Sequence, residues 1–185
     1  VEIVVILGML YWADTCVDSL HGLWGVKDFS WYIGIPLTLF ASVGIINAIN
    51  MLDGVNGLSA SLCLMGNVLF GLIFSGNGIQ PLALINFCMA ASLIPFLLHN
   101  VMGKRSKMFL GDAGTMMMGI LMSYNVIQML RADEVSIAKC CLSQKVGWVA
   151  LAVALLAVPV ADTLRVMTMR MLRHQSPFGA DKTHL

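Results

Sequence analysis

Long apolar runs alternate with short polar connectors along the whole chain. Five runs, 33–51, 58–75, 79–99, 113–130 and 146–166, approach or reach the roughly 20 helical residues that cross about 30 Å of hydrocarbon. A sixth, 1–12, is too short alone and reads as the tail of a helix that begins in preceding sequence. Connectors fall at 14–31, 53–57, 76–78, 100–112 and 131–145, and a polar tail follows from 167. Backbone groups in hydrocarbon must be paired within their own segment, so such runs predict helices. The expectation is an all-α, polytopic membrane helical bundle of five to six transmembrane helices, forming one domain over residues 1–185.

Composition strengthens this reading. Of 185 residues, 58% are hydrophobic and 11% charged, with a mean hydropathy of +0.84, which excludes an ordinary soluble domain. A net charge of +1 singles out no charged partner. The bilayer is the expected partner, and nucleic acid is not. Cys16, Cys63, Cys88, Cys140 and Cys141 show no CxxC or zinc-like spacing and read as packing thiols. The chain starts at Val1 without a basic n-region or a cleavage pattern and stops at Leu185, so both ends are expected to be cut from something longer.

Charge then sets the orientation. If 33–51 crosses inward, Lys104, Arg105, Lys107, Arg165, Arg170, Arg173 and Lys182 share one face, against Lys27, Arg131, Lys139 and Lys145 on the other. Seven against four makes the first face cytoplasmic. Trp24, Trp31, Tyr32 and Trp148 sit near span ends on the opposite face, as interfacial anchors do. Asp53, Asp112, Asp162, Asp181 and His184 consequently converge at cytoplasmic span ends, while Asp14, Asp18, Asp28, Asp133 and Glu134 read as solvated on the far side.

Three motifs on that face carry candidate chemistry. In NAINMLDGVNGL, residues 47–58, Asn47, Asn50, Asp53 and Asn56 recur at three-residue spacing, which puts them on roughly one helical face, with Gly54 and Gly57 interleaved. Amide and carboxylate oxygens suit a hard cation or a nucleobase edge, and glycine lets a ligand approach closely. The plainer alternative is an Asn/Gly helix terminus with a tight turn. In KRSKMFLGDAGTMMMG, residues 104–119, a basic loop runs through Phe109 into a helix opened by Gly111 and Asp112. Free N–H groups there suit phosphate, Asp112 suits Mg²⁺, and Phe109 can stack on a base. The alternative is an N-cap beside lipid-anchoring lysines. In SPFGADKTHL, residues 176–185, Asp181, Lys182 and His184 lie near Arg170 and Arg173, a set able to bind diphosphate. A fourth stretch around Pro159 and Asp162 reads as a helix kink and a pairing with Arg165 or Arg170.

In this order and separated by these spans, NAINMLDGVNGL, FLGDAG and SPFGADKTHL resemble the polyprenyl-phosphate N-acetylhexosamine-1-phosphate transferase superfamily over nearly the whole chain. Within it, the chain looks most like the bacterial undecaprenyl-phosphate GlcNAc-1-phosphate transferases of cell-envelope polysaccharide pathways. The resemblance implies transfer of a sugar-1-phosphate from a UDP-sugar to polyprenyl phosphate at the inner membrane, with the site facing the cytoplasm. It implies Mg²⁺, with Mn²⁺ as a substitute, on Asn50 and Asp112. It places uracil on Phe109, the nucleotide near Asn56 and Asp53, and the diphosphate against His184, with Lys107, Asp181 and Lys182 as further substrate contacts. Asp112, Asp53 and His184 are thereby the catalytic candidates, and a homodimer is compatible with the family.

Two departures stand out. Bacterial relatives usually have Asp where this chain has Asn56, although eukaryotic ones carry Asn, which argues against an acid or base role there. The upstream DDxxD motif and the histidines that follow the first in relatives are absent from 1–185, so activity is expected of an intact protein rather than of this chain alone. The rival class is a transporter with a helix broken at 53–57, which predicts discontinuous helices at mid-membrane depth.

Overall fold

The computed structural model describes residues 2–13, 16–17, 30–53, 57–102, 110–131 and 145–172. Among them every regular element is a helix: α1 (Glu2–Ala13), α2 (Trp31–Leu52), α3 (Leu58–Gly76), α4 (Gln80–Met102), α5 (Gly111–Arg131) and α6 (Lys145–Leu172). Four are long and apolar enough to cross a membrane: α2, α3, α4 over Gln80–Val101 and α6 over Val149–Val166. The expected fifth crossing, α5, has the length, at 21 residues, but not the hydropathy. Thr115, Ser123, Asn125 and Gln128 dilute its apolar character. The first three of those are buried, so α5 hides its polar groups against neighbouring helices rather than showing them to lipid.

Association of apolar helices in a bilayer depends on close packing, because lipid tails are as apolar as leucine. On α2 the buried positions Gly34, Thr38, Ser42, Ile45, Ile49 and Leu52 advance by threes and fours, forming one stripe. Small residues in such a stripe let backbones approach. A Cβ on Gly119 of α5 would lie 2.7 Å from the Ile46 Cα of α2, and one on Gly34 would lie 2.7 Å from the Val17 carbonyl oxygen. Thr38 ties down the same segment by accepting the Val17 N–H at 2.8 Å.

The α3–α4 pair is a tight hairpin. Gly78 adopts φ +76°, the Ile79 N–H reaches Phe74 O at 2.9 Å and the Gly78 N–H reaches Ser75 O at 3.2 Å. This is a Schellman ending, which satisfies the last carbonyls of α3 and turns the chain within three residues. Gly71 receives the Phe87 ring across the hairpin, and Gly66 receives the Met122 side chain from α5. Phe70, Phe74, Cys63, Leu93, Met118 and Met122 join in one buried cluster, which bears out the packing reading of Cys63. Cys88 departs from that reading: it lies on an exposed face of α4. Trp31 and Tyr32 are exposed at the start of α2, as expected of anchors at a span end.

Candidate active site

The end of α2 and the beginning of α5 lie antiparallel and are joined at three levels. Deepest is the contact of Gly119 with the Ile46 backbone. One turn outward, the Thr115 hydroxyl sits 2.8 Å from Asn50 Oδ1. Outermost, the Gly111 N–H donates to Asp53 Oδ2 at 3.0 Å. Steps of three or four residues advance each helix by about 4.5 to 6 Å, so the levels stay in register. The first two motifs of the sequence are thus brought side by side at one end of the bundle.

Asp53 is the hub of this arrangement. It caps α2, and its second carboxylate oxygen, Oδ1, accepts the Ser59 hydroxyl at 2.7 Å. Ser59 belongs to the first turn of α3 and Gly111 opens α5, so one carboxylate faces the amino ends of two helices. Partial positive charge at helix amino termini makes this a favourable place for an anion. Gly57 and Gly111, both at φ +73°, make the turns into α3 and α5. A left-handed backbone of this kind suits glycine and strains residues with a Cβ.

Asp112 is placed differently. It lies in the first turn of α5 on an exposed surface beside Gly111 and Ala113. Among the described residues its carboxylate has no hydrogen bond or salt bridge, and no group of three or more His, Cys, Asp or Glu side chains gathers there. The first turn of α5 therefore carries one open carboxylate, and Thr115 in the same turn meets the carboxamide oxygen of Asn50. That donor set fits a Mg²⁺ ion, which is usually held by one or two carboxylates with waters and substrate phosphates filling the remaining positions.

The three-residue spacing did not keep all the polar groups on one face. Asn47 turns to α1, where its amide donates to Glu2 Oε2 at 3.1 Å and to Val43 O at 3.0 Å. Each step of three residues falls about 60° short of a full helical turn, so Asn47 and Asp53 diverge by about 120°. Asp162 makes the ion pair expected of it, with Arg165 at 2.8 Å. Asn56, Lys107, Phe109, Asp181, Lys182 and His184 lie outside the described residues. Ser59 and Thr115 are site residues that pattern reading missed. The available signal was their position, each within four residues of a motif glycine at a helix start.

Among the described residues the transporter reading, a single membrane helix broken at 53–57, is not favoured. α2 and α3 are separate helices of 22 and 19 residues that end and begin around Asp53 to Gly57. Each is long and apolar enough to span by itself, so the polar junction joins two whole helices rather than interrupting one.

Comparison with known proteins bears on the family of the chain. The family described as glycosyl transferase family 4 matches residues 1–130. The undecaprenyl-phosphate alpha-N-acetylglucosaminyl 1-phosphate transferase of Yersinia pestis is 32% identical over 154 residues, covering 82% of this chain and 40% of the relative. The enzyme of the same name from Escherichia coli K12 is 29% identical over 190 residues, covering 99% of this chain and 47% of the relative. The decaprenyl-phosphate N-acetylglucosaminephosphotransferase of Mycobacterium leprae is 34% identical over 168 residues, covering 82% and 40%. The chain thus spans a little under half the length of the curated relatives it matches. No solved structure matches it.

Proposed function

This chain belongs to glycosyl transferase family 4, and on that premise we propose that the protein it represents transfers a sugar-1-phosphate, GlcNAc-1-phosphate, from a UDP-sugar to undecaprenyl phosphate. One phosphate oxygen of the lipid attacks the phosphorus that bears the sugar, the bond from that phosphorus to the bridging oxygen breaks, and UMP leaves with that oxygen. The product serves cell-envelope polysaccharide biosynthesis. The observation that carries this reading is the junction of the two motifs, Asn50 with Thr115 and Asp53 with Gly111, beside the open Asp112 carboxylate.

Each residue has a task in that reaction. Asp112 and Asn50 hold the divalent cation, Mg²⁺ or Mn²⁺. Bound there, the cation supplies charge neutralisation for the diphosphate. Asp53 keeps the amino end of α5 turned toward the nucleotide, with Asn56 beside it. Exposed N–H groups of the first turn of α5 meet phosphate oxygens. Phe109 stacks on uracil, and Lys107, Asp181, Lys182 and His184 surround the diphosphate. One substrate is soluble and the other has its chain in the bilayer, so the site faces the cytoplasm at the inner-membrane boundary. The rate gain comes from positioning and electrostatics rather than from covalent catalysis.

The test is turnover of the intact protein with radiolabelled UDP-GlcNAc and undecaprenyl phosphate in the presence of Mg²⁺. Labelled lipid and stoichiometric UMP are the expected products. UDP released in place of UMP would refute transfer of the phosphate with the sugar. Absence of labelled lipid with any UDP-sugar would refute the assignment altogether.

A further inference from the structure

We infer that Thr115 is a positioning residue, the group that fixes the orientation of the Asn50 carboxamide. This rests on the reading of Asn50 and Asp112 as the cation-holding pair. The other described threonines and serines inside helices mostly return their hydroxyl proton to a carbonyl of their own helix. Thr38, Ser123, Thr163 and Thr168 all do so four residues back, at 2.7 to 2.9 Å. Thr115 departs from this pattern. Its own-helix acceptors, the carbonyls of Gly111 and Asp112, are each at 3.1 Å, while Asn50 Oδ1 on α2 is at 2.8 Å.

A hydroxyl has one proton, and here the nearest acceptor lies on the other helix. Thr115 is 0% exposed, so no water competes for that proton, and the bond is made where the dielectric is low. Its effect is on direction. A carboxamide rotates broadly about its last torsion and can present either oxygen or nitrogen. Donation from Thr115 holds the oxygen toward α5 and occupies one of its two lone pairs. The other lone pair is the one that would meet a cation. Asp112 lies three residues before Thr115, in the same turn of α5. One helical turn therefore carries a cation ligand and also orients its partner on α2.

The experiment uses the intact protein and two readouts: turnover, and Mn²⁺ affinity from the paramagnetic resonance signal of the free ion. Thr115→Val keeps the shape and removes the hydroxyl, and Thr115→Ala removes it without overfilling, so the comparison survives if one variant fails to accumulate. Loss of a group that orients a metal ligand weakens binding by about 10- to 100-fold, and that loss is expected of both variants. Thr115→Ser should return affinity to within about threefold of the parent, since it restores the same donor. Added to Asn50→Ala, Thr115→Val should cost nothing further, because the group it orients is already gone. Parental Mn²⁺ affinity in both Thr115→Val and Thr115→Ala, or a loss that adds fully to that of Asn50→Ala, would overturn the inference. Parental affinity in Asn50→Ala would instead overturn the cation-pair reading on which it stands.

Discussion

Polar side chains tie α5 to its neighbours at two levels, and the two ties differ in what they leave over. Toward its carboxyl end, Asn125 and Asn86 of α4 exchange amide bonds, with Asn125 Nδ2 on Asn86 Oδ1 at 2.7 Å and Asn86 Nδ2 on Asn125 Oδ1 at 3.1 Å. Both side chains are fully buried. Asn86 spends a further proton on Leu82 O at 2.8 Å, so the pair is closed upon itself. At the amino end, Asp53 is equally committed through Ser59 and Gly111, yet Asp112 next door remains exposed. Polar groups within an apolar bundle need partners. In the amide pair the two side chains satisfy one another, whereas at the amino end a committed Asp53 lies beside an open Asp112.

The sharpest way to break this contrast is at Asp112. In the intact protein Asp112→Asn should lower UMP release about a hundredfold or more, with the thermal unfolding midpoint of the purified protein unchanged. A variant that lost stability in proportion to activity would make Asp112 a structural residue like Asn125. Next in size is Gly119→Val, whose side chain would drive into the Ile46 backbone. Overpacking of this kind costs about 1–3 kcal/mol, so both the unfolding midpoint and turnover should fall, because the Asn50 and Thr115 level is one turn away.

Much of the fold was legible in the residues, because apolar length is a strong signal and depends on no partner. Expected runs at 33–51 and 79–99 correspond to helices Trp31–Leu52 and Gln80–Met102. The run at 146–166 fell short of α6, which continues to Leu172. Asp162 and Arg165 lie inside that run and pair along one helical face, so their charges do not stop the helix, which runs on beyond it. Partner choice was not legible. Nothing in the pattern shows that Asn47 turns to Glu2, or that Thr115 meets Asn50, because helices apolar on most sides carry little record of which side faces which neighbour. The junction of Asp53 with Gly111 was foreseen only as a gathering of motifs on one face. That Asp53 is held from both sides, by Ser59 as well as by Gly111, needed coordinates.

Two smaller effects refine the comparison. Asn86→Leu should destabilise the intact protein by about 1 kcal/mol by leaving Asn125 unpaired, as read by thermal unfolding in detergent. Asn86→Leu with Asn125→Leu should recover most of that loss, and turnover should stay near parental in the double variant. Failure of the double variant to recover would show that the amide pair does more than hold α4 to α5. Smallest is Arg165→Ala, which removes an exposed partner from Asp162 and should shift stability by less than about 0.5 kcal/mol.

The abrupt turn at Gly78 also bears on topology. Between Asp53 and Gly111 the chain makes two crossings, one out along α3 and one back along α4. The three-residue reversal leaves no slack between the two helices, which form one hairpin. An even number of passages returns a polypeptide to the leaflet it left, and that parity accounts for Asp53 and Gly111 meeting at the same end of the bundle.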